Sequence, residues 1–86
     1  MIKVMFVCHG NICRSPMAEF IFKDIVEKNG ISKDFYVASS ATSREEIGNS
    51  VYPPAKRKLM ENNISCEGKH AVQLTKKDYE KYDYII

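Results

Sequence analysis

The chain has 86 residues, 44% of them hydrophobic, and a formal net charge of +2. This composition is typical of one small globular domain and excludes a disordered chain. The lysines are scattered and no basic run alternates with aromatic residues, so we expect no nucleic-acid partner.

Apolar runs and cysteines bear on the cellular compartment. The longest apolar run is too short to span a bilayer, and the N-terminus lacks the apolar core and cleavage site of a signal peptide. The three cysteines, an odd number, argue against a disulfide framework. We therefore expect a cytoplasmic protein with free thiols and no membrane partner.

The first predicted strand is the apolar segment 2–7, and a helix is predicted shortly after it. Ser15 can cap this helix, and Pro16 suits its first position because proline lacks the N–H that would be unbonded there. Apolar residues then recur about every four positions, and the pair Asn29–Gly30 is expected to end the helix.

The rest of the chain predicts two more strands and two more helices. Residues 35–40 form the second predicted strand, residues 41–54 are polar and turn-forming, and Pro53 permits a helix start. Thr75 and Asp78 have the capping-box spacing for a short last helix. The final segment "YDYII" is typical of a strand.

The alternation of strands and helices predicts an open parallel α/β sheet with right-handed crossovers and about three strands. In such sheets the ligand site lies at the carboxyl ends of the strands. The segment "VCHGNICRSP", residues 7–16, follows the first strand at that edge, which favours a functional role. An ordinary strand-to-helix turn with buried, inert thiols is the alternative.

The loop from Cys8 to Arg14 has the length to curl its backbone N–H groups around an anion. Gly10 offers the positive φ that such a curl usually needs, and Asn11 is the next most tolerant residue type. The N-terminus of the following helix adds partial positive charge. A tetrahedral oxyanion such as phosphate fits this kind of cradle.

Two side chains supply the chemistry predicted for this loop. Arg14 presents a planar fork that can bind two phosphate oxygens at once. The positive field lowers the pKa of the Cys8 thiol, and Ser15 can donate a hydrogen bond to its sulfur, in competition with its predicted role as cap. A Cys8 thiolate at the base of a phosphate cradle is placed to attack phosphorus and form a phosphocysteine.

The segment "FVCHGNICRSPMAE" closely resembles the signature of the low molecular weight protein tyrosine phosphatases, FVCxGNICRSPxAE. The resemblance continues through "SSATS", "IGNSVYPPA", "AVQLT" and "YDYII". It covers essentially the whole chain but only about the N-terminal half of a typical family member. Residues 1–86 are therefore interpreted as the N-terminal portion of a single phosphatase domain of flavodoxin-like, doubly wound fold.

The resemblance implies a role for each residue of the loop. Cys8 falls on the nucleophile, and Ser15 on the serine that hydrogen-bonds the thiolate. Asn11 falls on the asparagine that holds the loop conformation, and Ser39 on a serine in its supporting network. The residues implied in binding phosphate are His9, Gly10, Asn11, Ile12, Cys13 and Arg14.

The resemblance also implies ligands and a redox property. The expected substrate is a phosphotyrosine-containing protein or a small aryl phosphate, and inorganic phosphate or sulfate would occupy the loop. Neither a metal nor a cofactor is implied. Cys13 matches a second loop cysteine, which in this family can form a reversible disulfide with the nucleophile; a packed thiol is an equal alternative.

The sequence departs from the family pattern at several positions. The histidine that often supports the loop asparagine is replaced by Lys69, and we expect His70 to be a surface residue. The arginine of the family's A-R-Q segment is replaced by Val72. A rim position that is often aromatic in animal members is Glu45, which together with Glu46 would disfavour acidic substrates; a solvated loop is the simpler interpretation.

The family's general acid is an aspartate in an Asp-Pro loop well downstream, and no aspartate of this sequence is followed by proline. We therefore expect the general acid to be missing and the chain to be truncated. The consequence would be slow cleavage of aryl phosphates and very poor cleavage of phosphotyrosine peptides. The open edge of the last strand would favour self-association through "YDYII".

Three alternative functions stay open. Arsenate reductases resemble these phosphatases in fold and loop, but they need two further cysteines and only Cys66 lies beyond the loop. Arginine phosphatases tend to carry threonine after the loop asparagine, where this sequence has Ile12. The third alternative is a non-catalytic fragment that binds phosphate.

Overall fold

The computed structural model describes all residues from 1 to 86. Three strands and three α-helices follow one another in the order β1 (Ile2–Cys8), α1 (Arg14–Lys28), β2 (Phe35–Ala41), α2 (Pro53–Glu61), α3 (Lys76–Lys81) and β3 (Tyr84–Ile85). A short 3₁₀ turn precedes β2. This order confirms the predicted alternation of strands and helices.

The sheet is parallel throughout, with strand order β2–β1–β3. β1 is the central strand and pairs with β2 along its whole length, from Ile2 opposite Phe35 to Cys8 opposite Ala41. Helix α1 packs against both of these strands. The predicted open parallel sheet is confirmed, and Cys8 lies at the carboxyl end of its central strand, where such sheets bind ligands.

Helix α1 begins one residue earlier than the predicted cap. Cys13 is the N-cap residue, and Ser15 and Pro16 are the second and third residues of the helix. The Ser15 hydroxyl makes no capping bond, because it faces Cys8 and accepts a hydrogen bond from Asn11 instead. The prediction that Ser15 caps the helix is therefore wrong, since the loop engages the same hydroxyl.

Two other predicted helix boundaries are confirmed. Asn29 is the C-cap residue of α1, and Gly30 follows with a φ of 70°, a value that favours glycine. At α3 the Asp78 carboxylate accepts hydrogen bonds from the N–H and the hydroxyl of Thr75, in the predicted capping box. None of the helices combines the length and the apolar character that crossing a membrane requires.

The core beneath α1 and α2 is a cluster of four buried side chains, contributed by Val51, Ala55, Leu59 and Cys66. The side chain of Cys13, at the end of the loop, packs against this cluster. Burial of the cluster fixes α2 against α1, because apolar surface removed from water stabilises the packed arrangement. The start of α1, where the loop ends, is held by the same contacts.

The segment 69–74 runs along the carboxyl end of β2. The N–H of Ala41 donates to the carbonyl of Val72 at 2.7 Å, and the N–H of Leu74 donates to the carbonyl of Ala41 at 2.8 Å. The segment is thereby fixed beside the loop that follows β1, although the two are far apart in the sequence.

Candidate active site

The loop between β1 and α1 adjoins a cavity of about 310 Å³ at the carboxyl edge of the sheet. Cys8, Arg14 and Ser15 contribute to its lining, together with apolar side chains that include Ile86. Cys8 stands at the end of β1 and Arg14 at the start of α1, so strand and helix together fix the two ends of the loop.

The sulfur of Cys8 is surrounded by hydrogen-bond donors. The hydroxyl of Ser15 lies 3.1 Å from Sγ, and the backbone N–H groups of Asn11 and Ser15 donate to it at 3.3 and 3.4 Å. Burial by itself would raise the pKa of the thiol, but the Ser15 hydroxyl and the N–H groups of Ser15, Asn11 and Gly10 outweigh it. The pKa of Cys8 therefore lies below its ordinary value, which favours the thiolate.

Asn11, not Gly10, carries the positive φ of the loop. Its φ is 58°, whereas Gly10 does not have a positive φ, so the prediction that Gly10 supplies this conformation is wrong. Asparagine tolerates the left-handed region because its side chain can compensate with hydrogen bonds. Here the side chain of Asn11 is fully buried and makes three hydrogen bonds.

The three hydrogen bonds of the Asn11 side chain use both Nδ2 and Oδ1 of its amide group. Nδ2 donates to the hydroxyl of Ser15 at 2.7 Å and to the hydroxyl of Ser39 at 2.9 Å. Oδ1 accepts from the backbone N–H of Val72 at 3.1 Å. The loop is therefore tied to β2 and to the segment 69–74 as well as to its own helix.

Gly10 has a steric function in the loop. A β-carbon at this position would lie 3.2 Å from Cγ of Glu46, closer than most such contacts in proteins. The absence of a side chain thus lets the segment that follows β2 approach the loop. We infer that position 10 is a glycine because a side chain there would hinder this close approach.

Glu19 is a buried acidic residue of this region that the sequence analysis missed. It lies on α1, is 4% exposed, and accepts a hydrogen bond of 2.5 Å from the hydroxyl of Ser39. Two lysines neutralise it: Lys23, with Nζ at 2.5 Å, and Lys69, with Nζ at 3.6 Å. The available signal was its position four residues after Ser15, which places both on one face of the helix.

Lys69 is the position where the sequence departs from the family histidine, and it joins this network. Its ammonium group donates to the backbone carbonyl of Ser39 at 2.9 Å and faces Glu19. Burial lowers the pKa of Lys69, and the charge of Glu19 opposes that shift. His70 is exposed, with Nδ1 3.2 Å from the carbonyl of Gly48, so its predicted surface position is confirmed.

Arg14 is exposed and forms no side-chain hydrogen bond or ion pair within the chain. Its guanidinium donors are therefore available at the cavity, beside Cys8.

Ile12 holds the loop from another side, because its carbonyl accepts a hydrogen bond from the N–H of Tyr52 at 2.7 Å. No three histidine, cysteine or acidic side chains converge in a way that could hold a metal ion.

The rim of the site is formed by the segment after β2. Nε2 of His9 lies 2.9 Å from Oε2 of Glu45, and both side chains are largely exposed. The Ser43 hydroxyl donates to the carbonyl of His9 at 2.9 Å. The rim thus carries acidic and titratable side chains, as expected from Glu45, and has no aromatic side chain at that position.

The fold and the site define an open parallel α/β protein with an activated cysteine in the loop after its central strand. Comparison with known sequences identifies the family: the model of the low molecular weight phosphotyrosine protein phosphatases matches residues 3–86. The chain belongs to this family. Its parallel sheet, with order β2–β1–β3, matches the flavodoxin-like fold of its structural neighbours.

Three relatives illustrate the similarity. The low molecular weight protein-tyrosine-phosphatase YfkJ of Bacillus subtilis is 42% identical over 86 residues, which are 100% of this chain and 55% of that protein. Its crystal structure superposes with a TM-score of 0.96 over 99% of this chain and 54% of that one. The human low molecular weight phosphotyrosine protein phosphatase is 43% identical over 96% of this chain and 52% of its own length.

The third relative is DARP, the drosophila arginine phosphatase. Its crystal structure has a TM-score of 0.92 and 32% sequence identity, and the match covers 98% of this chain and 52% of that chain. The chain thus spans about half the length of each of these relatives.

Proposed function

We propose that residues 1–86 form the N-terminal portion of a single phosphatase domain, which hydrolyses phosphotyrosine monoesters through a phosphocysteine intermediate. The observation that carries this proposal is the environment of Cys8. A hydroxyl and two backbone N–H groups lie within 3.4 Å of its sulfur and lower its pKa. The thiolate is the nucleophilic form of cysteine. The family to which the chain belongs supports the same reaction.

The chemistry proceeds in two displacements. In the first, the thiolate of Cys8 attacks phosphorus, a sulfur–phosphorus bond forms, and the bond from phosphorus to the tyrosine oxygen breaks, with its electron pair leaving on that oxygen. In the second, water attacks the phosphocysteine, releasing inorganic phosphate and restoring the thiolate. Arg14 binds two phosphoryl oxygens, and the backbone N–H groups of residues 9–13 bind the third.

The loop needs support to keep this geometry, and we assign that role to Asn11 and Ser39. Asn11 holds a positive φ, and its amide bonds both Ser15 and Ser39. Because Ser39 is 1% exposed, water cannot replace these bonds. The hydroxyl of Ser15 is then available to stabilise the thiolate, and later the leaving sulfur.

The departing tyrosine oxygen requires a proton, and no aspartate of residues 1–86 is placed to supply it. Asp24 lies on α1, Asp34 precedes β2, Asp78 forms the capping box of α3, and Asp83 accepts the N–H of Lys3. General acid catalysis typically contributes about 10²–10⁴-fold to such reactions. We therefore expect residues 1–86 to cleave p-nitrophenyl phosphate slowly and phosphotyrosine peptides very poorly.

The choice of tyrosine over other phosphoryl acceptors rests on Ile12, since arginine-specific relatives tend to carry threonine there. Arginine phosphatase activity is the second candidate, because the drosophila enzyme shares the fold closely. Within residues 1–86 the cysteines do not favour arsenate reduction, because Cys66, which lies beyond the loop, is 4% exposed within the core cluster.

A single set of variants tests the proposal. Cys8→Ser should abolish the release of p-nitrophenol but still bind inorganic phosphate, because the backbone and Arg14 remain. Acid quenching of the unmodified chain should trap a phosphoryl group on Cys8, detected by mass spectrometry. Cys66→Ala is the matched control and should retain hydrolysis.

Three outcomes would contradict the proposal. Hydrolysis that persists unchanged in Cys8→Ser would exclude Cys8 as the nucleophile. Faster turnover of a phosphoarginine peptide than of a phosphotyrosine peptide would favour the arginine-specific alternative. Phosphate binding without any turnover of p-nitrophenyl phosphate would favour the non-catalytic alternative.

We also propose that residues 1–86 self-associate through β3. This strand is at the edge of the sheet; its residue Tyr84 is 58% exposed, and Ile86, which follows the strand, is 68% exposed. An edge strand offers unpaired N–H and carbonyl groups to a second copy. Sedimentation at increasing concentration should show a dimer, and a strictly monomeric chain would contradict this proposal.

A further inference from the structure

A second cavity, of about 280 Å³, lies between α1 and α2, and no residue of the loop around Cys8 lines it. One wall is formed by α1 residues at positions 17, 21, 24 and 28, whose spacing places them along one stripe of the helix. The other wall is formed by the last turn of α2 and the residues that follow it. The cavity is therefore separate from the site described above.

The inner surface of this cavity is apolar and is already fixed by the core. Leu59 is 2% exposed and belongs to the core cluster, and Met17 and Ile64 pack against that cluster. Ile21 completes the apolar lining and is 40% exposed. Because these surfaces are in place before a ligand arrives, binding requires little reorganisation of the protein.

The mouth of the cavity carries two lysines, Lys28 and Lys58, whose side chains are 71% and 67% exposed. Nζ of Lys28 lies 2.9 Å from the carboxylate of Asp24, which also lines the cavity. Nζ of Lys58 lies 3.9 Å from the carboxylate of Glu61, and both side chains are mostly in solvent. Such an exposed pair contributes little, so Lys58 is available to another anion.

The surroundings of the mouth also favour an anion. Helix α2 carries three consecutive cations, at positions 56–58, and one acidic residue, Glu61. The carboxyl ends of both helices have partial negative charge. Asn29 and Asn62 reduce it, because their side-chain amides donate to backbone carbonyls four residues earlier, at 2.7 and 3.0 Å. The cavity therefore combines an apolar interior with a cationic mouth.

We propose that this cavity is a second ligand site, which binds a small monocarboxylic acid with a compact aromatic body. The apolar lining contacts the ring, with the thioether of Met17 suited to an aromatic face or edge, and Lys58 binds the carboxylate. A volume of about 280 Å³ equals that of roughly nine waters in the liquid, which fits a fused bicyclic ring. The inference does not depend on the proposed phosphatase function.

The probe for this site is 1-naphthoate, and 1-naphthamide is its matched control because it has the same ring without the charge. Each is titrated into the ¹⁵N-labelled chain, and the backbone amides are followed by NMR. We expect the signals of Met17, Ile21, Leu59 and Ile64 to shift and to saturate, with a Kd for 1-naphthoate of about 1 mM or tighter. The amide should bind about twofold to fivefold more weakly.

The titration is repeated with inorganic phosphate present, because Arg14 can also bind a carboxylate. The acid and phosphate should bind at the same time, with separate sets of shifted signals. A chain that failed to bind phosphate would contradict the phosphate-binding role of the loop, while the shifts around the cavity would remain. The two proposals can therefore fail independently.

Two variants test the two parts of the site. Lys58→Met should weaken 1-naphthoate by about twofold to fivefold and leave 1-naphthamide unchanged; Lys56→Met, at an exposed lysine of the same helix outside the cavity, is its control. Ile21→Gln should weaken both probes by about threefold or more, because the apolar lining is interrupted. Ile25→Gln is its control, since Ile25 is 52% exposed and does not line the cavity. Urea unfolding verifies that each variant is folded.

Four outcomes would overturn the proposal. Shifts confined to residues 8–15 would show that the acid occupies only the loop around Cys8. Shifts that increase without saturation would show that there is no site. Equal affinity for the acid and the amide would exclude a carboxylate as the recognised group. A folded Ile21→Gln variant that binds both probes as tightly as the unmodified chain would place the ligand elsewhere.

Discussion

The backbone N–H of Val72 donates a 3.1 Å hydrogen bond to Oδ1 of Asn11, although the two residues lie 61 positions apart in the sequence. Asn11 is the loop residue with a positive φ. The conformation of the loop around Cys8 therefore depends on the segment 69–74, which is distant in the sequence. Substitutions at this contact should have measurable consequences for stability.

Asn11→Ala should lower the free energy of unfolding by about 2–4 kcal/mol. Two buried hydrogen bonds and one partly buried one are lost, and the N–H of Val72 is left without its acceptor. The matched control is Asn63→Ala, at an exposed asparagine with a φ of 61°. This substitution removes only the tolerance of asparagine for a positive φ, and we expect it to lower the free energy of unfolding by about 1 kcal/mol. Urea unfolding measures both, and equal losses would mean that the hydrogen bonds of Asn11 contribute nothing.

The ionisation of Cys8 should make the stability of the chain depend on pH. The pKa of this thiol is lower in the folded chain than the ordinary value of 9.0. Such a group contributes stability that is fully present above the unfolded pKa and is lost as pH falls through the folded pKa. We therefore expect the stability of the unmodified chain relative to Cys8→Ser to increase as pH rises toward 9.0. Urea unfolding at a series of pH values measures this difference, and a constant difference would contradict the hydrogen-bonded thiolate.

Gly10→Ala tests how much room the close approach of Glu46 leaves beside the loop. The added β-carbon would meet the flexible side chain of Glu46, at 3.2 Å from Cγ, and that of Ile12, at 3.7 Å from Cγ1, and the φ of Gly10 is not positive. We expect the free energy of unfolding to change by less than about 1 kcal/mol. Gly30→Ala is the comparison, because its φ is 70° with open space around it, and it should cost about 1 kcal/mol or more. A larger loss at Gly10 than at Gly30 would mean that the side chain of Glu46 cannot shift to admit a β-carbon.

The acidic rim should select against acidic substrates. Glu45 is exposed and Glu46 lies beside Gly10, at the mouth of the site. In a Cys8→Ser background, Glu45→Gln/Glu46→Gln should tighten the binding of a phosphotyrosine peptide with acidic flanks by about two- to fivefold, and high salt should reduce this effect. A peptide with neutral flanks should bind equally to both forms, and Glu67→Gln is the remote control. If both peptides gain affinity equally, the rim charges do not determine specificity.

Local patterns in the sequence predict best those parts of the site whose residues are close in the sequence. The loop, the strand before it and the helix after it follow from local patterns, which is why Cys8 and Ser15 were identified as neighbours. The φ values of Gly10 and Asn11 could not be assigned correctly. They depend on the approach of Glu46 and on the contact with Val72, and neither is visible in a local pattern.

Glu19 and Lys69 show why the remaining part of the site was inaccessible to sequence reasoning. A glutamate on a helix is usually solvated. Its spacing from Ser15 places both residues on one face of the helix, but does not reveal that β2 and the segment 69–74 bury Glu19. Lys69 was recognised as a departure from the family, but its contacts with Glu19 and Ser39 exist only when that segment docks against β2. Long-range packing determines both the burial of Glu19 and the contacts of Lys69.

The contact between Asn11 and Val72 also has a consequence for the order of events during biosynthesis. The loop is made early, but Oδ1 of its asparagine has no hydrogen-bond donor until residue 72 has been synthesised and docked. Contacts of high sequence separation form late, because closing a long stretch of chain costs entropy before the contact compensates for it. Until then Cys8 should behave as an ordinary thiol. We therefore expect the pKa of Cys8 to fall below its ordinary value only after the segment 69–74 has docked against the loop.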